Sequence, residues 1–421
     1  MTEADSSGDR GSLKRVGGQR WLVILGMLGP GITVMLADTD AGSIITAAQS
    51  GARWGYSLLA LQVLLIPILY FVQELTTRIG ITTGLGHGEL IRRSFGNKWA
   101  WFSVTTLFIS ATGALVTEFT GIAGAGLLFG IPSWVSVSVA AVLLILITGL
   151  GRYSFVEKTA ILIGLFELVF LPAVFFAHPD PGAMWHAMVG NQPLGEKGYW
   201  VLIAANVGAV IMPWMIFYQQ GAVVDKGLKP SALRYSRWDT AAGSVATQII
   251  MGAVLVLTAA TIGRTQPNTS LNNVQEIAHS LTPFLGQAGK GLFAVGLTGA
   301  ALIAAIVVSL AASWAFGEVL GIRSSLNYTW REAPAFYGLY AGGIIVAAAF
   351  VLAGIPLVSL TIAVEVMNTL LLPLVLGFLL ALGWKVLPPP YRLRRWEKAT
   401  LLVIYIMICS LGIFTLFQII A

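Results

Sequence analysis

Two aspartates one residue apart, Asp38 and Asp40, stand inside a strongly apolar stretch and are followed at once by Ala41-Gly42-Ser43. About 170 residues later a second apolar stretch is interrupted by Gly208-Ala209-Val210-Ile211-Met212-Pro213. Charge and freed backbone groups are costly at mid-membrane depth, so such interruptions need a reason. Unwinding a helix releases carbonyl oxygens from their amide partners, and a cation is the natural substitute. Asp40 would supply a full negative charge, Ser43 a hydroxyl, and Ala37 and Ala209 free carbonyls. Met212 would add a thioether, and Pro213 breaks its helix without leaving an orphan amide of its own. This is a mostly oxygen cage suited to a divalent cation. The competing reading is a helix-pairing aspartate with Ala-Gly close packing. Two interruptions at corresponding places in two halves of a chain favour a transport site built from broken helices.

The elements that must hold such a site are membrane spans. Of 421 residues, 56% are hydrophobic and only 10% charged, with a mean hydropathy of +0.81, which describes a polytopic membrane protein. Eleven spans are expected, at 21–46, 56–79, 98–121, 132–150, 156–177, 199–222, 239–262, 288–320, 335–354, 357–384 and 397–420. The net charge of +6 does not point to nucleic acid, because the basic residues fall in short segments between spans. With the N-terminus cytoplasmic, 21 of the 25 Lys and Arg face inside, and only Arg53, Lys197, Arg264 and Lys290 face out. The expected location is the cell membrane, multi-pass, with a disordered cytoplasmic segment at 1–20. The single cysteine, Cys409, excludes an internal disulfide or a cysteine metal cluster.

The expected fold is all-α, with a 5+5 inverted repeat whose first and sixth helices are broken. Repeat one covers 21–177 and repeat two 199–384 of a single transmembrane domain at 21–420. The helix at 397–420 lies outside the repeats. An odd number of spans per repeat inverts the second copy relative to the first.

Other polar residues lie inside or near spans. Asp38 is either a vestibule acid or a backbone cap. Glu74 and Glu118 are either functional acids or partners of cytoplasmic-end Arg or of helix ends, and Glu167 and Glu318 carry weaker signals. Gln219 and Gln220 follow the second interruption and could line an exit route. The four histidines, His87, His178, His186 and His279, sit in or near loops with no ligand spacing, and are expected at the solvated surface.

The residues of the two interruptions resemble the Nramp family of divalent-metal transporters, which has the LeuT-type fold. Gly29-Pro30-Gly31 is followed nine residues later by Asp40-Ala41-Gly42-Ser43, where the family has Asp-Pro-Gly-Asn. The run from Gln49 to Tyr56, the run from Arg78 to Gly84, Leu127-Leu128-Phe129-Gly130-Ile131-Pro132 and Ala209-x-x-Met212-Pro213 are similar to further family motifs. The similarity is clear over six helices and weak over the last five. It implies that Asp40, Ser43, Met212 and the carbonyls of Ala37 and Ala209 occupy metal-binding positions. It also exposes departures. Ser43 replaces an Asn, and Trp214 stands where the family has a His tied to proton movement. The acidic pair of the third helix falls on Ala114 and Thr117, with Glu118 next door but expected to face elsewhere. In the tenth helix Glu365 takes a position usually held by Gln. These changes resemble the Nramp-related magnesium transporters, a branch thought to work without proton coupling.

The cargo expected from this pattern is Mg²⁺, with Mn²⁺ also carried, by alternating access. Ser43 adds room and Glu365 adds charge for an ion that keeps its water, whereas the Met212 thioether favours softer ions unless a hydrated ion leaves it untouched. The alternatives are a proton-coupled Mn²⁺ or Fe²⁺ transporter and an ion-coupled carrier of an organic solute. Asp40 argues against a carboxylate substrate. No hydrolase or metalloprotease motif is present, so no enzyme is expected. Apart from the ion and the bilayer, neither cofactor nor obligate protein partner is implied.

Overall fold

The computed structural model describes residues 29–266, 269–271, 274–353 and 357–420. The segment expected to be disordered, 1–20, and the first part of the first span lie outside the described residues. Among those described, ten helices are long and apolar enough to cross a membrane, from Leu59–Thr83 to Arg395–Gln418. The eleventh span is the broken one. Its halves, α1 (Pro30–Asp38) and α2 (Ala41–Trp54), are 9 and 14 residues long, each too short to cross alone. The first span therefore runs on to Trp54, eight residues past the expected end at 46. Its second half is the reason: Asp40 caps a new helix that needs its own three to four turns.

The remaining elements follow in chain order: α3 (Leu59–Thr83), a short α4 (His87–Phe95), α5 (Asn97–Leu127), α6 (Ser133–Leu150) and α7 (Tyr153–Gly164). A tighter 3₁₀ stretch, Leu165–Val169, joins α7 to α8 (Phe170–Phe176). Outside the bundle lies α9 (Pro181–Val189). The second broken span is α10 (Lys197–Val210) and α11 (Pro213–Asp225), followed by α12 (Leu233–Thr258) and α13 (Val274–Leu320). The last three are α14 (Pro334–Leu352), α15 (Leu357–Lys385) and α16 (Arg395–Ile420).

Burial separates the helices by role. The stretches around α10–α11, α12 and the second part of α13 are the most enclosed, while α6, α7 and α16 turn most of their surface to lipid. The broken helices therefore sit at the centre. α1 is held at its start by Asp239 on α12, whose carboxylate accepts from the amides of Gly29, Gly31 and Ile32 at 3.2, 2.8 and 3.3 Å. Gly29 enters the helix with φ 139°, a value L side chains rarely adopt, and Pro30 at the first turn leaves no amide to satisfy. A carboxylate at a helix start also complements its dipole, by up to about 2 kcal/mol where partly buried.

At the same end of the bundle, Arg78 on α3 bonds Glu74 at 2.7 Å and Glu397 of α16 at 2.6 Å, and Arg237 reaches Glu74 at 2.7 Å. Of the two readings for Glu74, the ion pair with basic residues is the one the fold realises. Glu318 accepts from the amides of Gly88 and Glu89 at the start of α4. His87 departs from expectation: it is fully buried, with Nδ1 2.9 Å from Oε1 of Gln220 and its ring edge-on to Phe217. The short helix α4 folds back under the bundle and carries the histidine inward. His178 and His186 are exposed as expected.

Candidate functional site

The first break is built by Asp40. Its backbone is extended (φ −70°, ψ 177°) and one carboxylate oxygen accepts from the Ser43 amide at 2.6 Å, an N-cap on α2. In a continuous helix the Ala41 amide would bond back to the Ala37 carbonyl. It donates instead to Oε2 of Glu118 on α5 at 3.1 Å, which releases that carbonyl.

The second break follows from one residue. Pro213 has no amide hydrogen, so the carbonyl four residues earlier, that of Ala209, has no helical donor. It accepts from the Ser43 hydroxyl at 2.9 Å, and this bond ties the two breaks together. Met212 caps α11, and its sulfur accepts from the Trp214 indole N–H at 2.9 Å. Thus Asp40, Ser43, Ala37, Ala209 and Met212 lie in the two adjoining breaks and are all fully buried.

Glu365, on α15, closes the group. A Cβ added to Gly42 would run into its Oε1, and one added to Gly208 into its main-chain carbonyl. Only glycine at these two positions lets both broken helices press against α15. The other carboxylate oxygen of Glu365 accepts from Asn368 at 3.0 Å.

Glu118 corrects the sequence reading. It was expected to face away from the site, yet it reaches the Ala41 amide. It lies four residues after Ala114, one helical turn on, and so shares Ala114's face. Glu167, a weak signal in the sequence, is fully buried on the 3₁₀ stretch, near the Thr39 hydroxyl and the Asp40 carboxylate. A 3₁₀ segment inside a span often marks a functional hinge, and that irregularity aims Glu167 inward. Asp38 ends α1 and faces Asp40, Glu365 and Glu167 electrostatically. Gln219 stands apart from these acids, donating to Thr77 at 2.7 Å.

Five carboxylates, those of Asp38, Asp40, Glu118, Glu167 and Glu365, therefore surround the breaks, each fully buried. Six of their oxygens make no hydrogen bond among the described residues: both of Asp38, both of Glu167, Oδ2 of Asp40 and Oε1 of Glu365. None of Asp38, Asp40, Glu118, Glu167 and Glu365 forms an ion pair with Lys or Arg among the described residues. Buried carboxylates without a basic partner are costly, and a cation is the partner such a set suits. Among the described residues no three of His, Cys, Asp and Glu stand close enough to grip one bare ion together. The donor set is a mixture of carboxylate, hydroxyl and carbonyl oxygen.

Broken helices meeting at mid-membrane around a buried acidic centre define a membrane transporter of the LeuT type. The Nramp family, natural resistance-associated macrophage protein-like, matches residues 31–418, and the chain belongs to it. It is thus a transporter and not an enzyme. A Brucella suis protein named divalent metal cation transporter MntH is 27% identical over 319 residues, covering 73% of this chain and 70% of its own. A Pseudomonas aeruginosa protein, divalent metal cation transporter MntH 1, is 29% identical over 302 residues, covering 66% and 65%. Among solved structures, the Eremococcus coleocola manganese transporter superposes with a TM-score of 0.75 at 19% identity over 99% of this chain and 88% of its own. The structure of MhsT with L-phenylalanine gives 0.62 at 15% identity over 94% and 98%. At these identities the structural likeness speaks for the fold alone.

Proposed function

We propose that this chain moves a divalent metal cation across the cell membrane by alternating access, with Mg²⁺ as the preferred cargo and Mn²⁺ also carried, and without proton coupling. Six unpartnered carboxylate oxygens around two freed helix ends carry this reading. Relatives at 27% and 29% identity are named divalent metal cation transporters, which supports the divalent charge. Asp40 is the anchoring ligand in this proposal, with Ser43 and the carbonyls of Ala37 and Ala209 beside it. Glu365, Asp38, Glu118 and Glu167 surround the ion's water, while Trp214 and Gln219 shape the route around it.

The preference for Mg²⁺ rests on hardness and room. Mg²⁺ keeps several waters and binds through few carboxylates, so it suits outlying acids better than a tight cage. The soft donor of the proposed ligand set, the Met212 sulfur, is engaged by Trp214. The repeats 21–177 and 199–384 provide the two moving parts, with 397–420 outside them and the N-terminus cytoplasmic by the distribution of Lys and Arg. Full burial of the site residues fits the closed midpoint of such a cycle.

One observation favours a second reading, proton-coupled Mn²⁺ uptake. Five carboxylates exceed the charge of one divalent ion, and the surplus acids could carry protons. Both readings meet one experiment. Purified protein in liposomes is given Mg²⁺ or Mn²⁺ outside, with a dye reporting internal pH. Uptake of both ions without acidification is expected; Mn²⁺ uptake alone, with matching acidification, would establish the second reading instead. In the same assay Met212→Ala should leave Mg²⁺ uptake within about twofold of the parent, because a thioether adds little for a hard ion. Equal loss of both ions would show that Met212 shapes the site generally. Glu167→Gln keeps size and removes one charge, and should raise the KM for Mg²⁺ severalfold with the maximal rate little changed. An unaltered KM would remove Glu167 from the site.

A further inference from the structure

A polar cavity of about 450 Å³ lies away from the broken helices, among the basic residues at one end of the bundle. Its walls come from α3, the start of α12, the turn at Pro389–Tyr391 and the start of α16. This volume lies within the range of small-ligand sites.

Four arginines line it, against two glutamates. Arg78 is committed to Glu74 and Glu397, and Arg237 uses its Nε on Glu74, its outer nitrogens bonding to nothing among the described residues. Glu397 also accepts from the Arg394 main-chain amide at 2.6 Å. The acids are therefore satisfied within the wall. Arg392 and Arg394 are exposed, and their guanidinium groups bond to nothing among the described residues. Two positive charges remain uncompensated, on a turn stiffened by Pro388-Pro389-Pro390. The rim is aromatic: Tyr70 and Phe71 line it, and Trp396, edge-on to Phe71, is 54% exposed. Amphipathic aromatic rings sit at headgroup level, so the opening faces the membrane interface.

We propose that this cavity binds the phosphate group of an anionic phospholipid, with Arg392, Arg394 and the free face of Arg237 as its donors. Arginine presents a planar fork that matches phosphate oxygens, and basic pockets between membrane helices on this side take lipid headgroups. Free phosphate offers the same oxygens, but the aromatic rim with its exposed Trp396 favours a ligand that carries acyl chains. A bound headgroup would fasten the peripheral α16 to α3 and α12, which surround the broken helices.

The test uses the full chain in detergent, with thermal unfolding and native mass spectrometry as readouts. Phosphatidylglycerol should bind and raise the unfolding midpoint, while phosphatidylcholine and millimolar inorganic phosphate should not. The double variant R392Q/R394Q should lose roughly thirtyfold in phosphatidylglycerol affinity, taking about fivefold per surface arginine. Both side chains are exposed, so the variant should fold. The control R323Q/R331Q, basic residues outside the cavity, should bind like the parent. Equal protection by inorganic phosphate would overturn the lipid assignment. Undiminished phosphatidylglycerol binding by R392Q/R394Q, or equal loss in the control, would overturn the site.

Discussion

Asp40→Asn is expected to lower the initial rate of Mg²⁺ and Mn²⁺ uptake into liposomes by a hundredfold or more. Removing one partner from a desolvated charge pair costs about 3–5 kcal/mol, and each 1.4 kcal/mol is tenfold. The substitution isolates that charge. Asparagine is as good an N-cap as aspartate, and its carbonyl oxygen can still accept from the Ser43 amide, so α2 keeps its start. The unfolding midpoint should therefore change little while transport disappears. Ser43→Ala makes the useful contrast. It keeps the charge but removes the hydroxyl that joins Ser43 to the Ala209 carbonyl, and uptake should fall by roughly tenfold, in line with the net worth of one or two hydrogen bonds. Near-normal transport by Asp40→Asn, in protein that unfolds at the parental temperature, would place the ion elsewhere.

The parts of this site that the sequence made legible are those where local chemistry conflicts with a membrane interior. Asp38 and Asp40 in an apolar run, and Pro213 behind Met212, are anomalies within a few residues of chain, and both breaks lie where those anomalies are. The order of spans was legible for the same reason, since each needs about twenty apolar residues of its own. Residues whose meaning depends on a partner far along the chain were not legible. Glu74 and Glu167 look alike in sequence, each an acid inside a span. One ends against Arg78 and Arg237, the other against Thr39 and Asp40. Arg78, one turn after Glu74, marks part of the difference, as does the absence of Lys and Arg at turn spacing around Glu167, whereas Arg237 lies too far along the chain to be read. Glu118 failed differently. One residue along a helix is a rotation of about 100°, which turns Glu118 away from Thr117, but four residues return it to the face of Ala114. His87 is hidden in the sequence because a nine-residue helix between two spans looks like a loop until it is packed against Gln220.

Gly208→Ala should be strongly disruptive for a single added methyl, and it tests whether close packing and ion binding are separate properties here. The added Cβ would meet the carbonyl oxygen of Glu365, with the Thr369 hydroxyl at 2.6 Å and the Glu365 carbonyl carbon at 2.9 Å. Two of these three atoms are main chain, so α10 and α15 must part. The same movement strains the bond from the Thr369 hydroxyl to the Ala204 carbonyl, now 2.6 Å. Overpacking of this kind costs about 1–3 kcal/mol, seen as a lower unfolding midpoint. Transport should suffer more than stability, because the next residue is Ala209, and displacing a binding group by about 1 Å can cost a hundredfold in rate. Gly42→Ala separates the two effects. Its Cβ meets the tip of the Glu365 side chain, which can be removed, so Gly42→Ala with Glu365→Ala should recover the midpoint lost by Gly42→Ala alone. The same second change should not rescue Gly208→Ala, since every residue at 365 keeps its carbonyl. Rescue of Gly208→Ala by Glu365→Ala would mean that the carboxylate, and not the backbone approach of α10 to α15, is what requires glycine beside the second break.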